Sequence, residues 1–517
     1  MMVSRFSLLA LSLALLQPLV AGLVVPRYFK PHPFTRRSLS VQKVQEELGA
    51  IVSSGSTIFG PEDPRFAEAT ERHSTHAVPI IEVVVVPAIE SDVSVIVEYC
   101  NDNSIDFMAV NRAHARTYTV GAFDGLMIDL GQLLGIEMQP DEKSAWFQGG
   151  TYDGLVMDYL WERGFVATTG SCDCVGMMGP GLGGGHGRHE GLYGLISDNL
   201  LNLNVVLANG SAIRVNETSH ADLFWGMKGA GHNFGIVTSF ELKIHPREVD
   251  VWHYHNYIWT EDKLEQLFEE ANKLHADGNT PVNMALNVAT FVLNQSISET
   301  EVVIFWTFAY RGPAEEAEAI LAPFNQIEAA YDESGDVPYP GISDIQGTSL
   351  DSANCALNHE WVMSTSGVKV YNVTATREVY QLYQQYLDRY PQLSNSYVAH
   401  EGYSNAAVRS FRAEDSAFPF REYNHLLAFG AEVPPGFRDN LTSIARKLAD
   451  DVSALWNAGQ PGVPPSNYVN YATGFEPLPS IYGYEPWRLE RLVGLKNRYD
   501  PHNRFRFYNP IVQNNGS

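Results

Sequence analysis

Four cysteines in 517 residues are too few for a fold that disulfides carry. Basic side chains are also scarce. The 35 Lys and Arg against 60 Asp and Glu leave a formal charge of −25. That balance excludes nucleic acid and anionic membrane as partners, because phosphate binding needs clustered Lys and Arg. Beyond the N-terminus no apolar run is long enough to span a bilayer. Gly-x-Ser-x-Gly and His-Glu-x-x-His are both absent, which removes the common hydrolase signatures. There is no internal repeat and no low-complexity tract.

What remains is a chain long enough for two or more hydrophobic cores, with the 45% apolar content of a globular protein. Arg5 is the only charge before an apolar run over 6–16, and Leu19-Val20-Ala21-Gly22 follows. This is the layout of a secretory signal peptide, residues 1–22, with cleavage expected near Ala21 or Gly22. Secretion makes the six Asn-x-Ser/Thr sequons, at Asn209, Asn216, Asn294, Asn372, Asn440 and Asn515, candidates for glycosylation.

Residues 77–245 read as short strands mixed with a few helices. Strands are expected at 80–86, 107–110, 126–130, 145–148, 203–207 and 235–244, with helices at 92–101 and 152–163. Asn209-Gly210 marks a hairpin turn, with 211–215 as the return strand. From 250 to 465 the pattern changes to helix (261–275), strands (284–293, 302–310), helix (313–321), a strand near 367–370 and a helix near 378–390. That order suggests an antiparallel sheet backed by helices.

The segment from Gly170 to Gly187 holds eight glycines in eighteen residues and two of the four cysteines. Such density is costly in conformational entropy and suggests backbone pressed against a ligand such as a pyrophosphate. A flexible linker is the plain alternative; the interleaved Val175, Met177, Met178 and Leu182 argue against it. Gly179-x-Gly181-x-x-Gly184 fits G-x-G-x-x-G nominally, but no acidic residue follows about 20 positions on, as a Rossmann site requires. His186 and His189 flank Gly187 without a partner cluster, so no metal is expected there.

Four separated segments carry a resemblance. They are Val110–His114 with the following Ile128-Asp129-Leu130, the glycine segment, and the stretch from Tyr193-Gly194-Leu195-Ile196-Ser197-Asp198 through Ile236-Val237. The last runs from Tyr468-Val469-Asn470-Tyr471 to Phe505. In their order and spacing these resemble the FAD-linked oxidases of the berberine-bridge-enzyme-like group, with a PCMH-type FAD-binding domain in the vanillyl-alcohol-oxidase superfamily. The resemblance implies an α+β, two-lobed fold. Residues 23–245 would form the FAD-binding lobe and 246–465 an inserted substrate domain of antiparallel sheet plus helices. Residues 466–517 would return to the FAD lobe.

It also implies a cofactor and its attachment. Cys172 falls on the cysteine that joins flavin C6 in this family, and His114 near the histidine that joins the 8α-methyl. The plain alternatives are a structural thiol, or a disulfide to Cys174, and a histidine that merely lines the loop. His114 sits between Ala113 and Ala115 where the family has glycines, and Arg112 is closer to it than the family's arginine. Arg112, Val175, Gly176, Gly183, Gly184, Gly185, Gly187, Gly194, Asp198, Ile236, Val237 and Asn470 are the further expected cofactor contacts. Tyr471 is the expected catalytic base, its pKa open to lowering by a nearby cation, and Asn470 is expected to support the flavin or substrate. On a strand, Tyr468 would point to the opposite face. A valine at 175 leaves room for O₂ in this family. The implied activity is hydride transfer from an alcohol, an amine or an activated C–H to flavin, with O₂ as acceptor. The substrate would be a small hydrophobic metabolite or, alternatively, an oligosaccharide at its anomeric hydroxyl. A secreted protein that only binds flavin or ligand is the alternative of another class.

Overall fold

A computed structural model describes residues 39–511. The expected signal peptide and the sequon at Asn515 lie outside the described residues. Among those described, no helix is long and apolar enough to cross a membrane.

The first lobe holds, besides a two-stranded sheet of Phe165–Val166 with His245–Pro246, two larger sheets. In one, the apolar, β-branched strand Ile80–Val86 lies parallel to Asp124–Asp129, which is parallel to Phe107–Val110. Parallel strands need a crossover, and helix Glu90–Asp102 carries the chain from Ile80–Val86 to Phe107–Val110, on either side of Asp124–Asp129. Val93, Ile96, Val97 and Cys100 sit at helical spacing and are buried against the sheet. The second sheet is antiparallel, in the order Ile136–Met138, Ser144–Gln148, Ile236–Lys243, Leu200–Val206, Ala212–Asn216. Asn209 and Gly210 turn between the last two strands, with Gly210 at φ +90°.

Residues 252–432 form a seven-stranded sheet, every pairing antiparallel. Its order is Tyr331–Val337, Trp252–Trp259, Val302–Tyr310, Met284–Leu293, Tyr397–Tyr403, His425–Glu432, Trp361–Val368. Helices Leu264–Leu274, Ala314–Asn325, Val373–Arg389 and Arg438–Ala458 contribute to one apolar core with it. Five of these strands and the longest helix were not evident in the sequence or were displaced: 252–259, 331–337, 397–403, 425–432, the strand expected at 367–370 and found at Trp361–Val368, and helix 438–458.

The chain end packs back on the first lobe. Leu492, Leu495 and Tyr499 of helix Pro486–Tyr499 share a core with Leu223, Phe224 and Met227. Lys496, fully buried, donates to Asn233 O at 2.8 Å, Phe505 O at 2.7 Å and Asp500 Oδ2 at 2.7 Å. Among the sequon asparagines, Asn209, Asn372 and Asn440 are exposed, while Asn216 and Asn294 are half-buried.

Candidate active site

A cavity of about 590 Å³ runs between the first lobe and the seven-stranded sheet. That size is typical of small-molecule and cofactor sites. Its first-lobe wall is built by the loop after strand Phe107–Val110, by the segment 170–182 and by Gly235, Ile236 and Val237. Of the expected contacts, Arg112, His114, Cys172, Val175, Gly176, Ile236, Val237, Asn470 and Tyr471 all line it. Its opposite wall comes from alternate residues of the large sheet: Leu286, Val288 and Thr290, Phe305 and Thr307, Ala399 and Glu401. Alternation along a strand puts such residues on one face.

The other expected contacts stand away from the cavity wall. Gly184 and Gly185 take φ of +109° and +86°, a region that favours glycine. There a Cβ would meet Phe418 at 2.6 Å and Ile196 at 2.7 Å. Gly187 is pressed on Thr169 O, and Gly183 on the side chains of Val469 and Asn470. These glycines allow the chain to pack on itself. Gly194 packs on Asp198, and Asp198 forms a buried two-point ion pair with Arg421, at 2.7 and 2.9 Å. The front of the glycine-rich segment, to Leu182, is therefore cavity wall, and its end, from Gly183 to Gly187, packs behind that wall, apart from His186, which lines it.

At the junction of the two lobes Tyr471 donates to Glu401 Oε1 at 2.9 Å. Tyr403 donates to Glu401 Oε2, also at 2.9 Å. The Arg116 guanidinium lies 5.2 Å from the Tyr471 ring centroid. Burial pushes the Tyr471 phenol well above its usual pKa, and Glu401 adds to the rise. Arg116 pulls it down without overcoming them, so the expected lowering is not met. Burial likewise raises the Glu401 carboxyl, against the hydrogen bonds from Tyr471 and Tyr403 and the charge of Arg116. Residues 468–471 form a turn rather than a strand, with Tyr471 N–H donating to Tyr468 O. Both tyrosines consequently face the cavity, with ring centroids 5.2 Å apart. Tyr468 Oη accepts from the Gly185 N–H at 3.1 Å and from Asn470 Nδ2 at 2.6 Å.

The sulfur-bearing end of the site departs most from expectation. Cys174 is disulfide-bonded to Cys355, 181 residues away, leaving Cys172 free. The Cys172 Sγ lies 3.6 Å from Cys174 Sγ and 3.7 Å from Cys355 Sγ. Burial pushes the Cys172 thiol up to about 11, despite the pull of Arg116. His114 Nε2 is 3.7 Å from Cys174 Sγ, and its ring centroid lies 3.9 Å from that of His73, the two rings tilted by 32°. Burial and then Arg116 hold His114 down at about 3, so its imidazole is neutral at physiological pH. The loop reaches this position with Ala113 at φ +51°, a conformation L-residues other than glycine rarely adopt.

Sequence reasoning missed Glu401, Arg116 and the disulfide partner Cys355. Arg116 repeats the two-residue spacing of Arg112 and His114; Glu401 and Cys355 carry no local signal.

Residues 81–216 match the FAD binding domain family, and 467–512 match the berberine and berberine-like family. The chain is 51% identical over 517 residues to FAD-linked oxidoreductase OXR2 of Pyricularia oryzae, covering 98% of this chain and 99% of the other. It is 50% identical over 478 residues to FAD-linked oxidoreductase anuG of Penicillium roqueforti, covering 92% and 94%. Among solved structures, a chitooligosaccharide oxidase superposes with a TM-score of 0.75 at 19% identity, over 91% of this chain and 99% of the other. A glucooligosaccharide oxidase from Acremonium strictum, with 6-S-cysteinyl, 8α-N1-histidyl FAD, gives 0.75 at 19%, over 90% and 98%. The chain thus belongs to the berberine-bridge-enzyme-like FAD-linked oxidoreductases. It has the PCMH-type α+β fold of that family, and its cofactor is FAD.

The cavity suits that cofactor. Asn111 Oδ1, Ser171 Oγ and Asn470 Oδ1 are buried in its wall with no partner of their own, and such atoms call for a polar ligand. At Gly176 a Cβ would come within 2.5 Å of Asn111 Nδ2, so the loop needs a residue without a side chain to keep this approach.

Proposed function

We propose that the protein is a secreted oxidase of a small, largely apolar alcohol, amine or activated C–H compound, of the kind made in secondary metabolism. One observation carries the choice of substrate: on the sheet wall the apolar Leu286, Val288, Phe305, Ala399 and Ala428 outnumber the polar Thr290, Thr307 and Glu401. An oligosaccharide site would be expected to present a more polar wall to the sugar hydroxyls. The structural neighbours that act on oligosaccharides share the fold at 19% identity or less, so their substrates do not carry over.

Bound FAD would supply the hydride acceptor and pass the electrons to O₂, giving H₂O₂. Arg112, His114, Cys172, Val175, Gly176, Ile236, Val237 and Asn470 would hold it, with Cys172 and His114 as the covalent attachment points and Val175 leaving room for O₂. Tyr471 Oη takes the substrate's proton as its own proton passes to Glu401. A carboxylate with a raised pKa is the better acceptor for this relay. Apolar walls exclude water around the transfer and strengthen the interactions inside. The leader at 1–22 and the exposed sequons at Asn209, Asn372 and Asn440 support export and glycosylation, and a disulfide suits an oxidising compartment.

The test is H₂O₂ release from purified holoenzyme across a panel of benzylic and allylic alcohols, secondary amines and reducing oligosaccharides. Turnover of the apolar alcohols or amines is expected. Turnover confined to oligosaccharides would replace this reading by the carbohydrate oxidase. No turnover with any compound and no reduction of bound flavin would favour a ligand-binding protein.

A further inference from the structure

A second cluster of ligand-type side chains lies on the other face of the large sheet. Strand Trp252–Trp259 alternates, so His253, His255 and Tyr257 share one face, against which helix Ala314–Asn325 packs. The neighbouring positions Asn256 and Ile258 lie opposite Thr307 and Phe305, which line the active-site cavity. The sheet therefore separates this cluster from the cavity.

His253 Nε2 and His255 Nδ1 each lie 2.8 Å from the same oxygen, Glu318 Oε1. The three ligand atoms fall within 4.8 Å of one another. Two imidazole nitrogens and a carboxylate oxygen are a donor set that binds zinc. The surrounding groups orient all three. Asp336 Oδ1 is 2.7 Å from His253 Nδ1, the carboxylate–histidine pairing that metal sites use to fix tautomer and ring orientation. His253 thus has a carboxylate oxygen at each ring nitrogen, Asp336 at Nδ1 and Glu318 at Nε2. Asn325 Nδ2 donates to Glu318 Oε2 at 2.7 Å. Tyr257 donates to Asn325 Oδ1, and its hydroxyl oxygen lies 2.9 Å from His255 Nδ1, which fixes that ring's orientation. Both histidines are buried, while the Glu318 side chain is 31% exposed, so an ion and a water as fourth ligand can reach the site from solvent.

We propose that His253, His255 and Glu318 form an open divalent-metal site of the zinc class, with water as fourth ligand, tying helix Ala314–Asn325 to the strand beneath it. It shares no residue with the FAD site and stands independently of the substrate assigned above.

The experiment uses full-length holoenzyme dialysed against chelator, titrated with Zn²⁺ by calorimetry, with metal content measured by mass spectrometry. One Zn²⁺ per chain is expected, with a zinc-dependent rise in melting temperature. Glu318→Gln at the exposed ligand and His255→Gln should each weaken binding at least tenfold, and Asp336→Asn about tenfold, the range for orienting partners. Flavin absorbance reports folding in each variant. No zinc bound by the unaltered protein, or equal binding by folded Glu318→Gln, would overturn the proposal and leave the cluster a hydrogen-bond network.

Discussion

Tyr471 and Glu401 are separated by 70 positions in the chain and by one hydrogen bond of 2.9 Å in the fold. Tyr471→Phe keeps the ring and removes the proton carrier, so FAD binding should survive while the rate of flavin reduction falls by about 10²–10⁴-fold, the usual weight of a positioned acid–base group. Stopped-flow absorbance checks this. The pH dependence follows from Glu401. Burial raises its pKa, so in acid it holds a proton and cannot accept one from Tyr471. Turnover should therefore fall as pH drops, with its midpoint above the ordinary glutamate value of about 4.3. Glu401→Gln should lower the rate and erase that limb of the pH–rate profile. Ala113 offers a different check. It takes φ +51°, so Ala113→Gly should stabilise the protein by about 1 kcal/mol, read as a higher melting temperature with flavin retained. Tyr471, His114 and Cys172 were legible because they sit in motifs. Glu401 was not, since one glutamate in a strand differs from any other only by what the fold sets against it.

At the scale of elements, what could be read followed hydrophobic pattern. The strand 80–86 was evident because its β-branched run 83–86 is wholly buried, and the helix at 92–101 because Val93, Ile96, Val97 and Cys100 recur at helical spacing. Trp252–Trp259 was hidden by its histidines and asparagine, buried polar groups whose partners come from elsewhere. Tyr331–Val337 is an edge strand of acidic residues and glycine, exposed along most of its length; charge there discourages pairing with another chain and also erases the strand signature. The turn at 468–471 reversed the expected orientation of Tyr468 because four residues cannot show whether they extend or fold back. The returning helix Pro486–Tyr499 is anchored by Lys496 and Asp500, both fully buried. Lys496→Ala leaves an unpaired buried carboxylate and frees two carbonyls of their donor. It should cost about 3–5 kcal/mol, measured by urea unfolding, with earlier loss of flavin as the C-terminal segment detaches.

For the whole molecule, two lobes share one cavity and one disulfide. Composition correctly indicated that disulfides do not build this fold, yet the single bridge from Cys174 to Cys355 spans 181 residues and ties the loop bearing Cys172 to the substrate lobe. No spacing rule pairs cysteines at that distance, and the assignment needed the folded chain. Cys355→Ser should lower stability by about 2–4 kcal/mol and free Cys174 beside Cys172, detectable as one additional reactive sulfhydryl or one new Cys172–Cys174 pairing by peptide mapping. The central claim is that FAD occupies this cavity and is held by Cys172 and His114. The most direct test is the absorbance spectrum of purified protein before and after acid precipitation, repeated for the double variant Cys172→Ala/His114→Ala. The account predicts that flavin colour stays with the precipitate of the unaltered protein and moves to the supernatant in the double variant. Flavin released from the unaltered protein would contradict the attachment, and a protein that neither carries nor takes up FAD would contradict the account of the site.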